Sequence, residues 1–347
     1  MFGYIVRRVL AMFAMLLVLS FVVFSMFAVL PADPARLTCG KGCTPAIIEA
    51  NRHRLGLDQP FMTQYARFLI GIPCGRIYPT QGPVWQCPRT NSSLQPKQGE
   101  FLCPANPVCL GYSFRKGENV TTLLKEAMPV TFALAVGGVI LWLIVGLSIG
   151  ILAALRRGRW QDRTAMSIAL FGYSFPSFFI ALILLYIFVL KLGWLPYPSY
   201  VPFSQNPKQW TETFILPWVS LAILYAAFYA RLTRNQMLET LGEDFIRTAR
   251  AKGLPERTVI YRHALRAGIS PVVTSVGLDF AALLGGAIIV EQVFTLPGIG
   301  KLALDSTLEA DLSIITATVL LAAFFVIIAN LIVDLLYAYL DPRVVLV

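Results

Sequence analysis

The chain has 347 residues; 56% are hydrophobic and only 14% are charged, and the mean hydropathy is +0.67. Those values exclude an ordinary soluble domain. The net charge of +10 needs no nucleic acid to account for it, because basic residues beside apolar runs are a membrane-orientation signal.

A membrane span needs about 20 mostly apolar residues. Six runs qualify: Val9–Leu30, Pro129–Leu155, Thr164–Leu190, Phe214–Ala230 (the shortest), Pro271–Val290 and Ser313–Leu340. The expected fold class is therefore an all-α integral membrane protein with six transmembrane helices. Residues 1–30 hold the first helix, read as uncleaved because its apolar run exceeds the 7–15 residues of a signal-peptide core. Residues 31–128 form one long loop, and 129–347 form a core of five more helices.

Short-loop Lys and Arg set the orientation. Arg7 and Arg8 precede the first run, and Arg156, Arg157, Arg159 and Arg163 lie between the second and third. Loop 231–270 carries eight basic and four acidic residues. Both termini and this loop are thus expected on the cytoplasmic side, and loop 31–128 outside. That loop holds all six cysteines, Cys39, Cys43, Cys74, Cys87, Cys103 and Cys109. An even number confined to the oxidising side predicts disulfides, with free thiols as the alternative; spacing does not choose among the 15 pairings.

Several chemistries are missing. "PGIGKL" has a Gly-Lys pair, but Leu302 follows it and Thr295 occupies the first glycine position of a phosphate-binding loop. No metal site is expected, since the two histidines, His53 and His263, fall on opposite sides of the membrane. Neither an enzyme nor a bound cofactor is expected. Asp279 lies near the middle of the fifth run, where a carboxylate is costly and either lines a wet path or packs against a partner. Gly146 and Gly150, in "GLSIG", and Gly285 with Gly286 predict close helix contacts. Pro176 predicts a kink in the third helix.

The segment "EDFIRTARAKGLPERTVIYRHALRAGISP" reads as two short amphipathic helices meeting at a corner. Glu243 and Asp244 favour a helix start. Phe245, Ile246 and Ala249 give an apolar side, Gly253 suits the position after the helix, and Pro255 suits the next first turn. Val259, Ile260, Ala264 and Leu265 are the apolar positions of the second helix. Ala249, one turn before Gly253, is expected to face the same outside cleft as Gly253. On the residues alone, a pair of helices on lipid headgroups and a protein-docking elbow remain equal readings.

The stretch "GEDFIRTARAKGLPERTVIYRHALRAGISPVVT" closely resembles the cytoplasmic loop of ATP-binding-cassette importer permeases. The likeness is to the first permease of the dipeptide, oligopeptide and nickel systems. Arg247 and Thr248 stand where the general "EAA" signature has Glu and Ala; Ala249 and Gly253 keep its other elements. "LGLDQPFMTQYARFL", "EQVFTLPGIGKL" and "ANLIVDLLYAYLDPR" also resemble family segments, in order along the chain. Residues 72–109 depart from the pattern, as a cysteine-rich insertion.

The resemblance implies a type I ABC importer transmembrane fold in a bacterial or archaeal inner membrane, and a permease importing peptides. The implied partners are a second homologous permease, two ATPase subunits that bind the ATP and Mg, an extracytoplasmic solute-binding protein and membrane lipid. Coupling to the ATPases would fall to Arg247, Ala249, Arg250, Lys252, Gly253, Leu254 and Pro255, and Asp279 would be a candidate for the translocation path. Nickel or another small solute is the alternative cargo. An ion-coupled secondary transporter and a passive channel are the alternative functions.

Overall fold

The computed structural model describes residues 2–29, 35, 44–55, 57–74, 110–113 and 115–340. Within them every regular element is helical except one antiparallel hairpin of two-residue strands, β1 (Tyr112–Ser113) and β2 (Glu118–Asn119). It divides into two compact units. One comprises Val9–Pro129 and Leu302–Phe324; the other comprises Val130–Lys301 with Met1–Arg8 and Phe325–Val347.

In the first unit, α1 (Phe2–Val29) is followed by α2 (Pro45–Leu55) and α3 (Phe61–Cys74). Helix α1 begins about two turns before the expected span. Phe61, Tyr65 and Phe68 recur at helical spacing, so they share one face of α3. That face packs on Phe21 and Phe24 of α1, with ring centroids 5.1 Å apart for Phe21–Tyr65 and 5.5 Å for Phe24–Phe61. The Tyr65 hydroxyl also donates to the Leu17 carbonyl at 3.1 Å. Within the expected loop 31–128, Pro45–Leu55, Phe61–Cys74 and the stretch from Val120 onward are helical. Cys39, Cys43, Cys87, Cys103, Cys109 and the Cys74 side chain lie outside the described residues, so the expected disulfides do too. Farther along, the Ser113 hydroxyl bonds the Asp311 carboxylate. Asp311 also accepts from the Ile314 N–H at 3.4 Å, capping α13 (Leu312–Leu340).

The second unit is built on two long helices, α4 (Val120–Leu155), which enters it at Val130, and α7 (Pro207–Leu241), of 36 and 35 residues. Each is about 50 Å long at 1.5 Å per residue, well over the roughly 30 Å of a bilayer's hydrocarbon core. The shortest expected span is thus the apolar centre of an unbroken helix, begun at Asn206, whose side chain accepts from the Gln209 N–H. The two helices meet through glycine. A Cβ on Gly146 would lie 2.9 Å from Tyr229 Cβ, and one on Gly150 would lie 2.6 Å from the Ala230 carbonyl oxygen. In lipid, where apolar side chains gain nothing by leaving water, such close packing is what holds helices together.

Two expected spans differ. The third is broken: α5 (Trp160–Tyr173) and the segment Ser177–Lys191, comprising α6 (Ser177–Leu185) and a π-helical extension, are bent by 94°. Pro176 has no N–H to continue the ladder, and the Ser174 hydroxyl turns back onto the Leu170 carbonyl at 2.8 Å. The kink expected at Pro176 is therefore a full break. The fifth run ends early, because α10 (Ser270–Leu284) stops before Gly285. Gly286 takes φ 118°, and a Cβ there would sit 2.5 Å from Gly300 backbone atoms. The Gly285–Gly286 pair thus makes a turn and a backbone crossing. Among the described residues, four helices are long and apolar enough to cross a membrane, or up to six spans if each bent pair counts as one. Four shorter helices, α8 (Asp244–Ala251), α9 (Glu256–Gly268, partly π), α11 (Ile288–Val293) and α12 (Ile299–Leu308), complete the described helices.

Candidate functional site

The corner between α8 and α9 is a true elbow. Lys252 caps α8 and Gly253 follows with φ 76°. The Gly253 N–H donates to the Arg250 carbonyl at 2.9 Å and the Leu254 N–H to the Ala249 carbonyl at 3.4 Å, the paired bonds of a Schellman stop. Left-handed φ costs an L-residue about 1–2 kcal/mol but a glycine nothing. Pro255 has extended dihedrals and caps α9, accepting from the Thr258 N–H at 2.8 Å. Across the corner the Arg250 guanidinium grips Glu256 with two bonds, of 2.6 and 3.2 Å. Those bonds hold the exposed Glu256 carboxyl below its ordinary range. Arg247 lies exposed along α8, 3.3 Å from Asp244.

The elbow has an inner and an outer face. Ile246, Ala249, Val259 and Ala264 are buried together with Ala154 of α4 and Met237 of α7. Ile260 and Leu265 pack against them. Ala249 is therefore not on the outer side of the corner: it is 6% exposed and turned into the chain's own core. Positions 246 and 249 are three apart and share a face, which amphipathicity assigns inward. Phe245 is about 100° around the helix from Ile246 and is 46% exposed. The outer face carries Phe245, Leu254 and Tyr261 among Arg247, Lys252 and Arg257, all exposed. Large apolar side chains exposed together on one short elbow are surface that a partner can cover.

Asp279 is held from α7. The Tyr229 hydroxyl donates to its Oδ2 at 2.6 Å, and Tyr229 is fully buried. The Trp142 ring stacks on Tyr225 at 4.4 Å and lies parallel to Tyr229 at 6.0 Å. Asp279 is thus a partnered carboxylate that remains partly exposed.

Other polar sites escaped the sequence reading. Asp162 and Arg234 form a two-pronged pair at 2.5 and 2.7 Å, joining α5 to α7. Glu291 is fully buried. It accepts from the Thr131 hydroxyl at 2.9 Å and from the Lys301 N–H at 2.9 Å, while Thr131 in turn accepts from the Ile299 N–H at 2.8 Å. A Cβ on Gly298 would strike this carboxylate, so "TLPGIG" is wrapped around Glu291. An acid directly abutting an apolar run was the available signal. Among the described residues no group of His, Cys, Asp and Glu is placed to hold a metal.

Residues 146–346 match the family model described as binding-protein-dependent transport system inner membrane component. Residues 1–135 match the N-terminal model of the same membrane component. A provisionally named peptide transport system permease protein of Brucella abortus is 35% identical over 340 residues, 98% of each chain. The glutathione transport system permease protein GsiC of Escherichia coli K12 is 36% identical over 344 residues, 99% of each. Among solved structures, an inward-facing form of the MetNI methionine ABC transporter aligns with a TM-score of 0.52 at 17% identity, over 64% of this chain and 97% of that one. That likeness is one of fold.

Proposed function

The chain belongs to the family of binding-protein-dependent transport system inner membrane components, and from that premise we propose that it is a permease subunit of an ABC importer carrying short peptides, glutathione-like tripeptides among them. The observation that carries the reading is full-length similarity to permeases named for peptide and for glutathione transport. The elbow supports it, because a hydrogen-bonded corner that exposes apolar and basic side chains suits a mechanical contact.

In this reading the six apolar segments cross the inner membrane, with both termini and the elbow cytoplasmic. A second permease completes the path. Two ATPase subunits dock inside and hold the ATP and Mg, and a solute-binding protein delivers cargo from outside. Arg247, Arg250, Lys252, Gly253, Leu254 and Pro255 shape or line the docking face, whereas Ala249 seats it from within. Asp279 lies beside the path, oriented by Tyr229. The chain itself catalyses nothing and binds no cofactor. ATPase closure can move it only by fitting one permease conformation better than another.

The test is reconstitution of both permeases, the ATPases and the binding protein in vesicles. ATP-dependent uptake of dipeptides, longer peptides, glutathione and a nickel chelate is measured in parallel. Uptake of peptides that requires ATP is expected. ATP-independent flux, or flux driven by an ion gradient, would instead support the channel or the secondary transporter. Uptake of the nickel chelate alone would refute the peptide cargo.

A further inference from the structure

A cavity of about 200 Å³ lies between α5 and α7. Its walls include Met166, Leu170 and Tyr173 of α5 and Phe228, Arg231 and Asn235 of α7. It has a polar and an apolar end. Arg231 and Asn235 are exposed one helical turn apart on the same face. Phe228 and Leu170 make the other end apolar. Arg234 also borders the cavity, but Asp162 already engages its guanidinium. Among the described residues Arg231 has no acceptor, and no carboxylate belonging to Asp or Glu lines the cavity. Arg231 is also the first charge after the apolar run Phe214–Ala230. If the elbow is cytoplasmic, as the proposed function holds, Arg231 lies at the level of the inner headgroups.

We propose that this cavity is a binding site for an anionic phospholipid of the inner leaflet. Its phosphate would sit on the Arg231 guanidinium and the Asn235 amide, with its glycerol and upper acyl carbons on Leu170 and Phe228. A guanidinium offers paired donors to phosphate oxygens and is more weakly hydrated than an ammonium. Basic pockets between helices on the cytoplasmic side bind such headgroups. A free phosphate would use the polar end alone and leave the apolar end without a partner, so the lipid is the occupant that fits both. A bound lipid would also brace α5 against α7 beside the Asp162–Arg234 pair.

The experiment measures lipid retention by native mass spectrometry on the intact permease–ATPase complex. The complex is extracted from vesicles of phosphatidylcholine alone or of phosphatidylcholine mixed with phosphatidylglycerol. Selective retention of phosphatidylglycerol is expected. Arg231→Ala should weaken it about tenfold or more, the scale of one lost charge-assisted contact. Arg231→Lys should weaken it less, and Arg159→Ala, outside the cavity, should leave it unchanged. Equal retention by parent and Arg231→Ala overturns the proposal. So does displacement of the lipid by millimolar inorganic phosphate, which would make this a free-anion site. Loss of the second permease from Arg231→Ala with lipid retention unchanged would show a subunit contact instead. Retention is read independently of uptake, so a failed peptide assay with selective lipid binding would strike the importer reading and spare this one.

Discussion

Substituting the two faces of the elbow should separate docking from folding. Phe245 is 46% exposed on the outer face. With a phenylalanine side chain taken as roughly 200 Å², about 90 Å² remains to be covered by a partner. At about 25 cal/mol per Å² that area is worth about 2 kcal/mol, or roughly 30-fold in affinity. Phe245→Ala should therefore weaken ATPase binding to the purified permease pair roughly 30-fold. Its thermal stability should stay within about 0.5 kcal/mol of the parent, as for an ordinary surface change. Ala249→Leu should do the reverse. Its side chain enters a space already filled by Ile246, Met237, Val259 and Ala264. Overpacking of that kind costs about 1–3 kcal/mol, and any loss of docking should follow from the damaged elbow. ATPase affinity, solute-stimulated hydrolysis and unfolding temperature are measured on the same preparations. Full binding and coupling by Phe245→Ala would show that the outer face is not the docking face. An Ala249→Leu protein of unchanged stability that loses the ATPase would move Ala249 to the contact itself.

Asp279→Asn should alter uptake rate or peptide preference while the complex still assembles, whereas Tyr229→Phe, which strips a buried donor from the carboxylate, should also lower stability by about 1–3 kcal/mol; uptake and unfolding unchanged in both variants would remove Asp279 from either role. Gly150→Ala forces a Cβ to within 2.6 Å of the Ala230 carbonyl oxygen and should cost about 1–3 kcal/mol. Gly253→Ala meets open space but must hold a left-handed φ of 76° and should cost about 1–2 kcal/mol, from its backbone alone; an unfolding temperature unchanged from the parent in either variant would contradict its assignment. At least two disulfides are expected among the six cysteines, so thiol labelling of unreduced, denatured protein should find two or fewer free thiols, and six would sink the expectation.

The helical class and the elbow were legible because each has a local cause. A run of apolar residues needs no partner to be recognised, and Gly253 between a helix-ending Lys252 and Pro255 declares a corner by its own chemistry. The breaks in the third and fifth runs were not legible at full size. Pro176 signals a missing hydrogen bond, but whether the chain then kinks or turns by 94° depends on what the next helix packs against. The inward turn of Ala249 was not legible for a related reason. Small residues suit a cleft on a partner and a tight seat in the chain's own core equally well, and only the position of Ile246 and Met237 decides between them. Asp279 could be singled out as a charge in an apolar run, whereas its donor Tyr229, 50 residues earlier, carried no mark in its own neighbourhood.

The placement of α7 then says how motion at the elbow would travel within its unit. Met237 seats the elbow's inner face, and Gly268 at the end of α9 fits closely against Thr240 and Gln236. Tyr229 lies eight residues before Met237 on the same unbroken helix, about 12 Å away. One unbroken helix therefore joins the seat of the elbow to the donor of the Asp279 hydrogen bond. The other route, from α9 into α10, passes a 49° bend at Ile269. A stiff arm carrying the hydroxyl and a jointed arm carrying the carboxylate both start at the elbow. If the bend opened by rotation, the 2.6 Å contact between Tyr229 and Asp279 would be loaded, because that bond joins the two arms beyond the joint. A carboxylate at this place is thus suited to report elbow movement as well as to meet a solute. The two roles separate experimentally: Tyr229→Phe would uncouple hydrolysis from uptake if the bond transmits force, and would leave coupling intact while changing peptide preference if it only orients Asp279.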